Sequence, residues 1–220
     1  MGRIRTVVVA VALASGPSAL PAQRQSPVSI AVTPYFGLVS PGRDLLLRPG
    51  LNVERDPESQ ALLGVIGGRV TIGVTEKFAI EGDVGLGKSG LKVSSLSAPS
   101  GTDAKVTTIS GRLVYRLKPT TEPSWIAFHA GVASVSRSFT ENSGRPSNLK
   151  DGTGVGGVLG AAIGFRMARR TALTITAEDY LYNASFDVAA TTGGATQRSQ
   201  SLIQNDLRVT LGVRVALVGR

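Results

Sequence analysis

Apolar and polar residues alternate with a period of two through eight stretches of this chain, and the last stretch is the clearest. Leu207, Val209, Leu211, Val213, Val215 and Leu217 point one way, while Asp206, Arg208, Thr210, Gly212, Arg214 and Ala216 point the other. Successive side chains of a β-strand face opposite sides, so this is a strand with one continuous apolar face and one face carrying two arginines. Such a strand fits a wall between lipid and a polar lumen. The same alternation places strands at roughly 28–38, 64–74, 77–86, 106–117, 125–136, 155–168, 171–183 and 205–217. Each is long enough, at about 3.3 Å per residue and about 40° of tilt, to cross the thin apolar band of an outer membrane. After the first 22 residues no window approaches 18 consecutive apolar residues, which excludes transmembrane helices.

The connections alternate in length. Thr75-Glu76, the segment 118–124 and Arg169-Arg170 are tight turns, whereas 39–63, 87–105, 137–154 and 184–204 are long and rich in Pro, Gly, Ser, Asp and Asn. Outer-membrane barrels have short periplasmic turns and long outer loops, and an even strand count leaves both termini on the periplasmic side. The expected fold is therefore all-β: an eight-stranded antiparallel up-and-down transmembrane β-barrel.

Parity sorts the wall into two faces. Ile30, Val32, Phe36, Ile66, Val70, Ile72, Phe78, Ile80, Val84, Ile109, Leu113, Tyr115, Ile126, Phe128, Val132, Leu159, Ile163, Phe165, Leu173 and Ile175 fall on the lipid side. The same rule turns Arg69, Lys77, Glu81, Asp83, Arg112, Arg116, His129, Arg166, Glu178, Arg208 and Arg214 inward. A basic residue on the lipid face would cost about 2–4 kcal/mol at mid-membrane, so the segregation carries weight. Counted up from the turn at Thr75, Arg69 lies opposite either Glu81 or Asp83, with Arg112 at a similar height. Glu178, placed between Arg208 and Arg214, offers a second lumen cluster. Lys77, Arg116, Arg166 and Arg214 all sit near a turn or terminus and predict a basic periplasmic rim; a lumen that conducted would then prefer anions. Pro34 lacks an N–H, which predicts a bulge there or an early end to the first strand. Tyr35, Phe36, Trp125, Tyr180 and Tyr182 have the positions of interfacial belt residues.

The start of the chain sets the compartment. Gly2-Arg3-Ile4-Arg5 is basic, Thr6 to Ala14 is apolar, and Ser15 to Ala22 is a small-residue and proline segment, which reads as a secretory signal peptide spanning 1–22 ahead of a barrel domain at 23–220. Cleavage there removes Arg3 and Arg5 and lowers the formal net charge from +9 to +7. An exported chain meets no nucleic acid, so the basic surplus points to lipopolysaccharide phosphates or to the lumen. Cysteine is absent, which excludes disulfides and thiolate metal sites.

Catalytic chemistry has little to build on. His129 is the single histidine. A hydrolytic serine two residues along its strand is replaced by Gly131, and Ser134 has the opposite parity. One histidine with scattered carboxylates makes no metal ligand set. The run Gly152-Thr153-Gly154-Val155-Gly156-Gly157 has a superficial likeness to a nucleotide fingerprint, but no strand-to-helix unit surrounds it. No cofactor and no enzymatic activity are expected.

The end of the chain carries a resemblance. Thr210-Leu211-Gly212-Val213-Arg214-Val215-Ala216-Leu217 is similar to the closing strand of the small eight-stranded outer-membrane barrels of the OmpA/OmpX and OmpW types. That resemblance implies that Thr210, Gly212, Val215 and Leu217 form a signal read by the barrel-assembly machinery. Leu217 stands where an aromatic is commoner, and Val218-Gly219-Arg220 extends past it. Two functions follow. One is a non-enzymatic barrel with a side-chain-filled lumen, embedded in outer-membrane lipid and lipopolysaccharide and acting in envelope structure or surface interaction through its outer loops. The other is a small OmpW-like channel for apolar or small solutes.

Overall fold

A computed structural model describes residues 28–42, 58–60, 62–93, 102–141, 152–188 and 197–218. Eight long strands make up the wall: β1 (Ser29–Pro41), β2 (Leu63–Gly73), β3 (Phe78–Val93), β4 (Thr102–Arg116), β5 (Ser124–Glu141), β6 (Gly152–Arg166), β7 (Thr171–Val188) and β8 (Gln197–Val218). Every neighbour in sequence is an antiparallel neighbour in space. β1 then pairs antiparallel with β8 and closes an up-and-down barrel. A short strand, Glu58–Gln60, adds to the outer end of β3. The segment read as a signal peptide lies outside the described residues.

The three short connections share one end with the start of β1 and the finish of β8. Each holds itself by local bonds: the Thr75 hydroxyl accepts the N–H groups of Lys77 and Phe78, and Met167 and Ala168 both donate to the Thr171 carbonyl. A threonine hydroxyl that competes for backbone donors in this way terminates one strand and sets the next. The first and third turns occupy four residues each, 74–77 and 167–170, rather than two.

At the other end the strands outrun the sequence pattern. β3 continues to Val93 rather than stopping at 86, β5 reaches Glu141, β7 reaches Val188, and β8 begins at Gln197 rather than 205. Beyond the apolar belt, neither face needs to be apolar. Strand pairing goes on while the alternation that marks it fades.

Pro34 neither bulges the strand nor ends it. β1 runs through it, with Pro34 opposite Gly68 in unbroken register on the β2 side. On the β8 side the pairing passes from Val32–Val215 to Tyr35–Gly212 without Thr33 or Pro34, and the register shift falls earlier, between Ile30 and Ala31. The missing N–H is absorbed as a gap in the closing seam.

The outward positions form an apolar belt of large exposed side chains that includes Phe36, Ile66, Val84, Ile109, Leu113 and Val132. At the short-turn end the Phe78 and Tyr115 rings pack 5.2 Å apart, and Phe128 is the cross-strand partner of Tyr115. The inward positions are buried. Toward the long loops they pack as an apolar cluster including Leu63, Val65, Val106, Val135 and Val158; toward the turns they pack as Ala79, Val114, Trp125 and Ala127. Between these clusters lies a layer of charge.

Candidate functional site

Five strands send charged groups to the middle of the lumen, and a sixth, β5, adds His129. Register decides the first pairing: Arg69 is opposite Asp83 and Thr71 is opposite Glu81. The Arg69 Nε donates to Asp83 Oδ2 at 3.0 Å, and its two terminal nitrogens donate to Thr176 and Thr210 at 2.7 and 3.0 Å. Arg112 is opposite Glu81 on the next strand, 3.6 Å from it, and also reaches Asp83 at 3.1 Å and Glu178 across the lumen. Arg208 donates to Asp83 at 2.8 Å and to Glu178 at 2.6 Å.

Glu178 is the hub. Its carboxylate meets Arg69 at 3.0 Å, Arg112, Arg208, and His129 Nε2 at 3.3 Å, and it accepts from the Tyr180 hydroxyl at 3.3 Å. Three guanidiniums thus share three carboxylates, Glu81, Asp83 and Glu178, and the layer is formally neutral. Buried charges persist only when matched, and here every guanidinium has a carboxylate within ion-pair distance, although Arg112 Nε and Nη2 make no hydrogen bond.

The aromatic residues assigned to an interfacial belt require correction. Tyr35, Trp125, Tyr180 and Tyr182 are buried in the lumen, and of that set Phe36 alone faces outward. Tyr35 shares the parity of Thr33, so its ring enters the lumen, where it lies 4.5 Å from the Arg69 guanidinium and 5.2 Å from that of Arg208. Tyr180 stacks on Arg208 at 4.8 Å. Ring faces are attractive to cations in a dry setting, so these rings help to seat the arginines. Glycines make room for them. A Cβ on Gly164 would strike the Trp125 indole, and one on Gly67 would strike the Tyr35 ring.

Arg214 does not belong to this network. It pairs with Ala172, six residues along β8 from Arg208, and is too far toward the turns to reach Glu178. It lines instead a cavity of about 30 Å³ at the short-turn side, together with Arg116, Glu81, Trp125 and several threonines. The basic rim is also smaller than parity implied. Lys77 is exposed in a turn, where strand parity no longer operates, and Arg166 is exposed at the end of β6 and donates to the carbonyls of Thr121 and Ala168. Arg116 and Arg214 remain as the lumen-facing pair.

A second polar group escaped the sequence reading. Near the long-loop end, Arg137 donates to Asp206 at 2.6 Å and to Tyr182, whose hydroxyl also bonds Asp206 at 2.8 Å. The signal was present: Arg137 continues the parity of His129, one residue past the boundary assigned to its strand. Thr210 and Gly212, read as part of an assembly signal, are buried in β8, while Val215 is half-buried and Leu217 is exposed. Gly212 lets β1 approach, since a Cβ there would lie 2.9 Å from the Pro34 carbonyl. Among the described residues no group of His, Asp and Glu could hold a metal ion.

The architecture has counterparts among solved structures. Outer membrane protein OprG from Pseudomonas aeruginosa aligns over 88% of this chain and 97% of its own with a TM-score of 0.62 at 12% identity. Outer membrane protein AlkL, determined in lipid bilayers, aligns over 93% of this chain and 97% of its own with a TM-score of 0.58 at 15% identity. The chain has the fold of the small outer-membrane barrels. No family model matches the sequence, and no curated protein matches it.

Proposed function

We propose that this protein is a non-enzymatic outer-membrane barrel whose lumen is plugged by its own side chains, and that it acts in envelope structure or in surface interaction through its long outer loops. In that setting both termini and the three turns face the periplasm, and lipid covers the apolar belt. The observation that carries the reading is the interlocked layer of Arg69, Arg112, Arg208, Asp83 and Glu178, all fully or almost fully buried. An eight-stranded barrel has room for little beyond its own side chains. The cavity below the layer, about 30 Å³, has room for a few waters and is no conduit. The non-enzymatic part rests on His129, which is buried against Glu178, with Gly131 two residues along.

Planar-bilayer recording on the purified barrel tests this against a small-solute channel. The expected result is a bilayer that stays at its lipid baseline. Reproducible conductance steps would overturn the plugged-lumen reading, and anion selectivity among them would trace the path past Arg116 and Arg214.

A further inference from the structure

Among the described residues the lumen's charges balance except at the short-turn side. Arg69, Arg112 and Arg208 are matched by Glu81, Asp83 and Glu178, and Arg137 is matched by Asp206. Arg116 and Arg214 are left over. Arg116 is 4% exposed, and neither arginine has a carboxylate at ion-pair distance among the described residues. Both line the cavity of about 30 Å³, and so does Glu81, which is already engaged by the Thr71 hydroxyl at 2.7 Å and by Arg112 at 3.6 Å. Thr33 and Thr176 add hydroxyls to the same wall. Two partly desolvated guanidiniums, Arg116 buried and Arg214 half-buried, face one small cavity and attract a counter-charge.

We propose that Arg116 and Arg214 form a binding site for a small oxyanion of phosphate or carboxylate chemistry, taken up from solution at the short-turn mouth of the barrel. A guanidinium presents a planar fork of donors that matches such an anion through two parallel bonds, and two forks on one cavity favour an oxyanion over a spherical halide. The cavity has space for two or three waters, which an anion entering from the mouth displaces. It lies inside the wall, so a lipid headgroup tethered to acyl chains outside the belt is the poorer occupant. Binding does not depend on whether the lumen conducts.

The test is calorimetric titration of inorganic phosphate into the folded barrel in a non-ionic detergent and a buffer free of other oxyanions. Saturable binding is expected at one site, weakened at least tenfold by R116Q combined with R214Q and unchanged by K77Q combined with R166Q, which neutralises two exposed basic residues at the same end. Equal affinity in the wild type and the R116Q/R214Q variant, or an equal loss in the K77Q/R166Q variant, would overturn the site. Should the double variant fail to fold, R214Q alone, at the half-buried partner, is expected to weaken binding at least threefold, and no change would count against the proposal. A parallel measurement in phosphatidylglycerol and phosphatidylcholine nanodiscs separates the sources. A lipid-dependent thermal shift without free phosphate, lost in R214Q, would overturn uptake from solution in favour of a headgroup.

Discussion

Glu178 binds three arginines from three different strands, so its charge is the hardest in the lumen to replace. Glu178→Gln keeps the shape and leaves three buried guanidiniums with two carboxylates. Removing one partner of a buried pair costs about 3–5 kcal/mol, and denaturant unfolding in lipid vesicles should register a loss of that size. Glu122→Gln, on an exposed turn, should shift the same curve by less than about 0.5 kcal/mol. Gly164→Leu should cost about 1–3 kcal/mol by the same measurement, because its side chain must displace the Trp125 indole. Within the strands parity alone revealed which charges face inward, since a single chain fixes that, whereas at the turns it misplaced Lys77 and Arg166. Their partners were less legible: Arg69 chooses Asp83 over Glu81 by one step of register, and Glu178 gathers Arg69 and Arg112 from across the lumen. Parity also held the true place of Tyr35, Tyr180 and Tyr182, but nearness to a strand end was given more weight than face.

At the scale of the strand, the apolar belt separates cleanly from the lumen because every residue between the turns alternates. Ile109 sits near mid-belt on β4, opposite Val84. Ile109→Arg should therefore destabilise the inserted barrel by about 2–4 kcal/mol in vesicle unfolding, while Leu117→Arg, past the strand end, should cost about 0–1 kcal/mol. The turn ends of the strands were readable from sequence because lipid stops abruptly there and charged or proline residues follow. The outer ends were not. Segments such as Gln197–Ser201 carry no apolar face, so nothing in their composition distinguishes a paired strand in water from a loop. Pro34 misled for a related reason. The rule against proline in a paired strand assumes that both edges are fully bonded, and the seam with β8 leaves two residues of β1 unpaired.

For the molecule as a whole, the eight-strand topology was legible because the alternation of long and short connections, with strands of this length, favours an up-and-down barrel over a sandwich. Its orientation in the membrane can be checked directly. An epitope inserted between residues 142 and 151 should be stained on intact cells, and one inserted between Pro119 and Pro123 should be stained after the outer membrane is opened. The charge layer has a further consequence, which concerns time. Its members come from β2, β3, β4, β5, β7 and β8, and bonds such as Arg69 to Thr210 and Arg208 to Tyr35 span 141 and 173 residues of chain. None of these can form until the first and last strands meet. An incomplete sheet can match neighbours such as Arg69 with Asp83 and Arg208 with Glu178, but the bonds that cross the lumen, Glu178 to Arg69 and Arg112 among them, wait for the wall to close. Interactions absent from the transition state slow unfolding and leave folding almost unchanged. The cross-lumen part of the layer is therefore a late latch. Glu178→Gln should accelerate unfolding far more than it slows insertion, so that a barrel once shut stays shut for reasons of rate as well as of equilibrium.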